Sequence, residues 1–186
     1  DSADFFGRAE LVATLMERVE SRRFIAVMGA SGSGKSSVVM AGLAPQLPSD
    51  RWVVATMVPG RSPFLAVRQA LLDLGLTGAP QLDPGRGDHL DLLRAVQSVV
   101  AEDGPRLLLV IDQFEELFLQ VPDEAVRARF IRNLAEAIED PSAQLTVLIT
   151  LRADALDLAM EHGPLGELIG SEMVGVLPLR AHELEA

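Results

Sequence analysis

One stretch of eight residues constrains this chain more than any other. Gly29-Ala30-Ser31-Gly32-Ser33-Gly34-Lys35-Ser36 fits the spacing G-x-x-x-x-G-K-[ST] at every fixed position. It follows a continuous apolar run, Phe24-Ile25-Ala26-Val27-Met28, of the kind a buried parallel strand shows. It opens a segment, Ser36 to Leu43, that reads as a short helix stopped near Pro45. Between strand and helix, such a string is suited to cradle phosphate. Its glycines let the backbone curl with N–H groups inward, and the helix start adds unpaired N–H groups and a positive dipole end. Lys35 is then expected to reach the β- and γ-phosphates of a nucleotide, and the Ser36 hydroxyl to coordinate Mg2+. Of the 16 basic residues, 15 are arginine and only Lys35 is lysine. The alternative is a glycine-rich turn that binds nothing.

The rest of the chain alternates between two periodicities. Arg8 to Ser21 carries Leu11, Val12, Leu15, Met16 and Val19 at helical spacing. Trp52 to Val58 is a second β-rich run, closed by Pro59-Gly60, and Ser62-Pro63 predicts an N-cap and first turn of a helix reaching Leu74. Gly75 to Asp88, rich in glycine and proline, reads as a surface loop. A helix follows from Asp88, marked by Leu92, Leu93, Val96, Val99 and Val100. Leu107 to Ile111 is a third strand, Pro122-Asp123 starts a helix with Val126, Phe130, Leu134 and Ile138 along one side, Leu145 to Leu151 is a fourth strand, and Met173 to Leu177 a weaker fifth. Strands alternating with helices predict parallel βαβ units and an α/β three-layer sandwich, in a single domain over residues 1–186.

Composition excludes several classes. Apolar runs reach about five residues, far below the roughly 18 of a membrane span. No secretory pattern opens the chain, and the lack of cysteine removes disulfides and thiolate metal sites, which suits a reducing, cytoplasmic setting. The net charge is −11, with 20 of the 27 acidic groups in residues 83–186, so the surface repels phosphodiester backbones and argues against nucleic acid as a general partner. His89, His162 and His182 lack metal-ligand spacing. The absence of an initiator methionine suggests a domain excised from a larger protein.

A phosphate loop of this kind works with a carboxylate at the end of another strand. Leu107-Leu108-Leu109-Val110-Ile111-Asp112 supplies it, at the carboxyl end where open α/β sheets bind ligands, so Asp112 joins Ser36 as a Mg2+ candidate. Asp112-Gln113-Phe114-Glu115-Glu116 adds two carboxylates, and if the chain turns helical there all three acids share one face. Glu115 or Glu116 is a candidate to orient an attacking water, as is Gln113, while the plainer reading makes the two glutamates solvated helix residues.

With an extra strand between the two motif strands, the chain resembles the branch of P-loop NTPases with that insertion, which implies a five-stranded parallel sheet of order 51432 flanked by helices. More narrowly it resembles the STAND class of signalling NTPases, in particular the bacterial "novel STAND NTPase" family. Phe6-Gly7-Arg8-Ala9-Glu10 is similar to the G-R-x-E motif before the first helix, implying that Arg8 lies beside the nucleotide base. Gly29 to Ser37 is similar to the family's phosphate loop, bringing Ser37 into the nucleotide-binding set. Pro59-Gly60-Arg61-Ser62-Pro63 resembles its P-G-x-x-P turn, and Asp112-Gln113-Phe114-Glu115-Glu116 its D-Q-F-E-E string. Thr150-Leu151-Arg152-Ala153-Asp154 is similar to a T-L-R-x-D segment, implying that Arg152 senses the γ-phosphate; Arg152 could equally form an ion pair with Asp154 or Asp157. Leu177-Pro178-Leu179 with Glu183 resembles a junction into a helical lid. The resemblance implies a Mg-ATP-binding switch with slow hydrolysis, self-association through this domain, and flanking sensor and effector domains. ATP over GTP rests on that resemblance and on the lack of an Asn-Lys-x-Asp string. Alternatives are a small-molecule kinase, a transport-type ATPase, or a scaffold that holds nucleotide without hydrolysing it.

Overall fold

Short apolar runs without alternation are stable as strands when helices cover both faces, and that is how the chain uses them. The computed structural model describes residues 2–75, 92–100 and 104–176. Its five strands, β1 (Phe24–Gly29), β2 (Trp52–Met57), β3 (Arg106–Ile111), β4 (Leu145–Arg152) and β5 (Met173–Gly175), form one parallel sheet in the order β2-β3-β4-β1-β5. This is the expected order 51432 read from the opposite edge. Every residue of β1 is buried, whereas edge strand β2 is only partly covered.

Alternate strand residues feed two separate cores. On one face Phe24, Ala26, Leu107, Leu109, Val147 and Ile149 pack beneath α3 (Pro63–Asp73), α4 (Leu92–Val99), α6 (Glu124–Glu139) and α8 (Gly163–Glu172). On the other, Ile25, Val27, Leu108, Val110 and Leu148 meet Val12, Leu15 and Val19 of α1 (Ser2–Ser21) and Val38, Val39 and Leu43 after the glycine loop. The result is the three-layer sandwich.

Local signals hold to different degrees. Asp123 caps α6, accepting from the Ala125 N–H at 2.8 Å. Ser62 occupies the N-cap position of α3 without a side-chain cap bond, so Pro63 alone carries the signal there. The expected helix over 36–43 is different in kind: α2 (Lys35–Ser37) runs into a π-helical turn, Val38–Leu43, then a 3-10 turn, Ala44–Gln46, that includes Pro45. The Ala44 N–H bonds Val39 O, five residues back, immediately before Pro45, which has no N–H to continue the helix, and in the layer above a Cβ on Gly42 would stand 2.7 Å from Val12 Cγ2. Two helices unforeseen in the sequence, α7 (Leu156–Met160) and α8, fill the β4–β5 connection, with Gly166 allowing α8 to lie against the Met160 backbone. Residue 76 onward of the predicted loop, the start of the helix expected from Asp88, and Leu177, Pro178, Leu179 and Glu183 lie outside the described residues. Among the described residues, no helix is long and apolar enough to cross a membrane.

The sheet brings Gly29, Asp112 and Arg152 to one margin, the carboxyl ends of its interior strands β1, β3 and β4. Gly29 registers with Arg152, and Ile111 with Ile149, so Asp112 emerges level with Thr150. Because α1 supplies the cover beneath that margin, Leu15, fully buried, is a direct test of the layer. Leu15→Ala should cost about 2–5 kcal/mol in urea unfolding, and a loss below about 1 kcal/mol would contradict this packing.

Candidate functional site

The glycine loop is built around what its neighbours leave no room for. A Cβ on Gly29 would lie 2.6 Å from both Ser33 Oγ and the Val176 carbonyl oxygen, and Val176 is held there by its N–H to Met28 O at 2.5 Å. Gly32 and Gly34 have φ of 74° and 87°, the left-handed region that a side chain disfavours. The loop doubles back so that Lys35 Nζ donates to Gly29 O at 2.9 Å and Ala30 O at 2.8 Å, with the side chain buried. Ser33 is buried and its hydroxyl has no hydrogen-bond partner among the described residues. Ala30, Ser31, Gly32 and Ser37 are exposed. Arg8 on α1 reaches the loop's end: its Nη2 lies 3.1 Å from where a Gly34 Cβ would stand.

At the carboxyl ends of β3 and β4, one carboxylate oxygen gathers two hydroxyls. Asp112 Oδ1 accepts from Ser36 Oγ at 2.7 Å and from Thr150 Oγ1 at 2.6 Å, while Thr150 Oγ1 accepts from the Gln113 N–H at 2.9 Å. Gln113 takes a positive φ of 52°, uncommon for a side-chain-bearing residue. The chain therefore turns at 112–115, and α5 (Glu116–Gln120) starts only at Glu116. The three acids thus do not share a face of one helix, because the left-handed Gln113 and the Phe114 N–H to Thr150 O bond (2.9 Å) redirect the chain. Nor is Glu115 a solvated helix residue: it is 5% exposed and its Oε2 accepts from the Arg152 N–H at 3.3 Å. Glu116 is half-buried.

Arg152 meets Asp154, the nearer of its two candidate partners, through Nε to Oδ1 at 3.0 Å and Nη2 to Oδ2 at 2.5 Å. That hydrogen bond and the Asp154 charge raise the Arg152 pKa, with Glu115 adding to the effect; the same bond holds the Asp154 carboxyl below its ordinary value, helped by the charges of Arg152 and Lys35.

These residues fit a phosphate chain and a hard cation. A buried ammonium, an unpartnered buried hydroxyl and glycines in the left-handed region suit an anion; a serine hydroxyl touching a carboxylate is an all-oxygen set suited to Mg2+, which is commonly held by one or two carboxylates, water and phosphate oxygens. Among the described residues no group of three His, Cys, Asp or Glu side chains could hold a metal alone. Sequence reasoning gave Thr150 no role. The available signal was a hydroxyl near the end of a largely apolar strand, shared with Thr146, equally buried in β4, which instead bonds Arg106 and the Arg22 carbonyl.

The family model described as Novel STAND NTPase 1 matches residues 1–186. A search of curated proteins finds no match. The structure is similar to the ORC2 protein of Aeropyrum pernix in its ADP form, with a TM-score of 0.65 and 14% identity over 96% of this chain and 49% of that one. It is also similar to the Walker-type ATPase PABY2304 of Pyrococcus abyssi (TM-score 0.60, 14% identity, 95% of this chain and 55% of that one) and to Cdc6p of Pyrobaculum aerophilum (0.56, 16%, 94% and 44%). At such identities the likeness concerns the fold, and the chain spans about half the length of these proteins.

Thr150→Val deletes a donor to Asp112 and an acceptor for the Gln113 N–H. It should lower stability by about 1–3 kcal/mol in urea unfolding, with Thr150→Ser costing less; equal stability of Thr150→Val and wild type would show that the hydroxyl holds neither group.

Proposed function

The chain belongs to the novel STAND NTPase 1 family, and from that premise we propose that it is a Mg-ATP-binding switch that hydrolyses ATP slowly and couples nucleotide state to self-association or effector activation. Its fold is that of a P-loop NTPase nucleotide-binding domain. The observation that carries the proposal is the convergence, at the carboxyl ends of β1 and β3, of the buried Lys35 ammonium with the Ser36–Asp112 contact. Gly29 through Ser37 would wrap the phosphates, with Lys35 on the β- and γ-phosphates. Ser36 and Asp112 would hold Mg2+, which when bound neutralises phosphate charge. Arg152 would read the γ-phosphate. Arg8, beside Gly34, would close the loop's outer side; its position there places the guanidinium by the phosphate loop, whatever it adds at the base.

Slow turnover is supported by the residues C-terminal to Asp112. Gln113 stands where many fast ATPases carry a glutamate, and Glu115 is engaged by the Arg152 backbone. Either Glu115 or Glu116 would orient water once nucleotide rearranges the site. That engagement of Glu115 also favours a second reading, a scaffold that keeps nucleotide without hydrolysing it. Adenine over guanine is supported by the lack of an Asn-Lys-x-Asp string and by a fold neighbour solved with ADP. Self-association rests on the family to which the chain belongs. Sensor and effector functions would reside in flanking domains.

Calorimetric titration should show Mg-ATP binding by the wild type, preferred over Mg-GTP, and a loss of at least about tenfold in Lys35→Ala, since a charge-assisted contact to phosphate is removed. Equal, unmeasurable binding by both proteins would overturn the proposal. In single-turnover assays the wild type should hydrolyse ATP and either Glu115→Gln or Glu116→Gln should slow it; no hydrolysis by the wild type would favour the scaffold.

A further inference from the structure

Arg152 does not face the loop as a free cation. Asp154 grips its guanidinium by two parallel contacts, the fork-on-carboxylate geometry that a guanidinium also makes on a phosphate. The grip is local: only Ala153 separates the two residues, and the 3-10 turn Ala153–Ala155 folds the carboxylate back under the end of β4. Arg152 is in register with Gly29, the first residue of the phosphate loop, so the pair stands beside the site. The Lys35 charge also helps to hold the Asp154 carboxyl below its ordinary value, after the hydrogen bond and charge of Arg152. Both side chains are open to water, at 41% and 66% exposure, so the pair is screened and exchangeable, unlike a buried ion pair.

We propose that Asp154 is a specificity-determining residue that occupies Arg152 until a γ-phosphate displaces it, weakening binding of the triphosphate relative to the diphosphate. The inference rests on the nucleotide-site reading above. A γ-phosphate competes for the same guanidinium face; a diphosphate, which ends at the β-phosphate, does not. The apparent affinity for a ligand that needs Arg152 free falls with the fraction of molecules in which it is free, while a ligand that ignores Arg152 feels no such reduction. Asp154 thereby biases the domain toward its diphosphate state.

The test is calorimetric titration of Mg2+ with ADP and with a non-hydrolysable ATP analogue, on wild type, Asp154→Asn, Arg152→Ala, the double variant, and Asp157→Asn as a nearby exposed carboxylate. Asp154→Asn should raise the triphosphate-to-diphosphate affinity ratio about two- to fivefold, the range set by a surface ion pair. Asp157→Asn should leave the ratio within about 1.5-fold of the wild type, and the Asp154→Asn effect should vanish in the Arg152→Ala background. An unchanged ratio, an equal tightening of both nucleotides, or an Asp154→Asn effect that survives removal of Arg152 would overturn the inference. A wild type that binds neither nucleotide would overturn the site reading itself, and this inference with it.

Discussion

The buried ammonium of Lys35 is the constraint on which the rest of the site depends. A cation taken out of water must be met by oxygen, and Lys35 Nζ is met by the carbonyls of Gly29 and Ala30, six and five residues earlier in the chain. Bringing those carbonyls to the side chain forces the loop to return on its own start. That return uses left-handed backbone at Gly32 and Gly34 and brings Ser33 so close to Gly29 that a Cβ has no place there, while Val176, held by its own bond to Met28 O, closes the other side.

A second dependence runs through Asp112. Its Oδ1 joins the first turn of α2, through Ser36, to the end of β4, through Thr150, and so couples the phosphate loop to a strand that lies between β1 and β3. Thr150 then holds the Gln113 N–H, and Gln113 adopts a left-handed backbone at some cost in strain. The turn that results sends Phe114 into the core and Glu115 under Arg152. Loop, acid turn and arginine are therefore one connected unit, in which the Asp154 contact is the exposed and weakest link.

How much of this could be read in advance depended on whether each cause was local. β1, β3 and β4 were legible because a fully covered parallel strand leaves an unbroken apolar run, and the loop because its glycines, lysine and serine answer to one chemistry. The start of a helix at Pro122-Asp123 was legible for the same reason, since the group Asp123 bonds lies two residues away. The π-helical turn was not, because Pro45 signals that a helix stops but not that the turn before it widens to a five-residue hydrogen bond. Whether the chain turned helical at Asp112 was left open by the string for a similar reason: Thr150, a residue on another strand, holds Gln113 in a left-handed conformation. Between Asp154 and Asp157 as partners of Arg152, spacing alone offered no choice; the 3-10 turn made it.

The most direct test of the account is the Mg-ATP affinity of Lys35→Arg, measured by calorimetry beside the wild type. Arginine keeps the charge but replaces a compact ammonium by a broad planar fork, which cannot sit between the Gly29 and Ala30 carbonyls as Lys35 does. The account predicts a loss of at least about tenfold in affinity, or about 1.4 kcal/mol. Unchanged affinity would contradict it, showing that position 35 supplies a charge and nothing more.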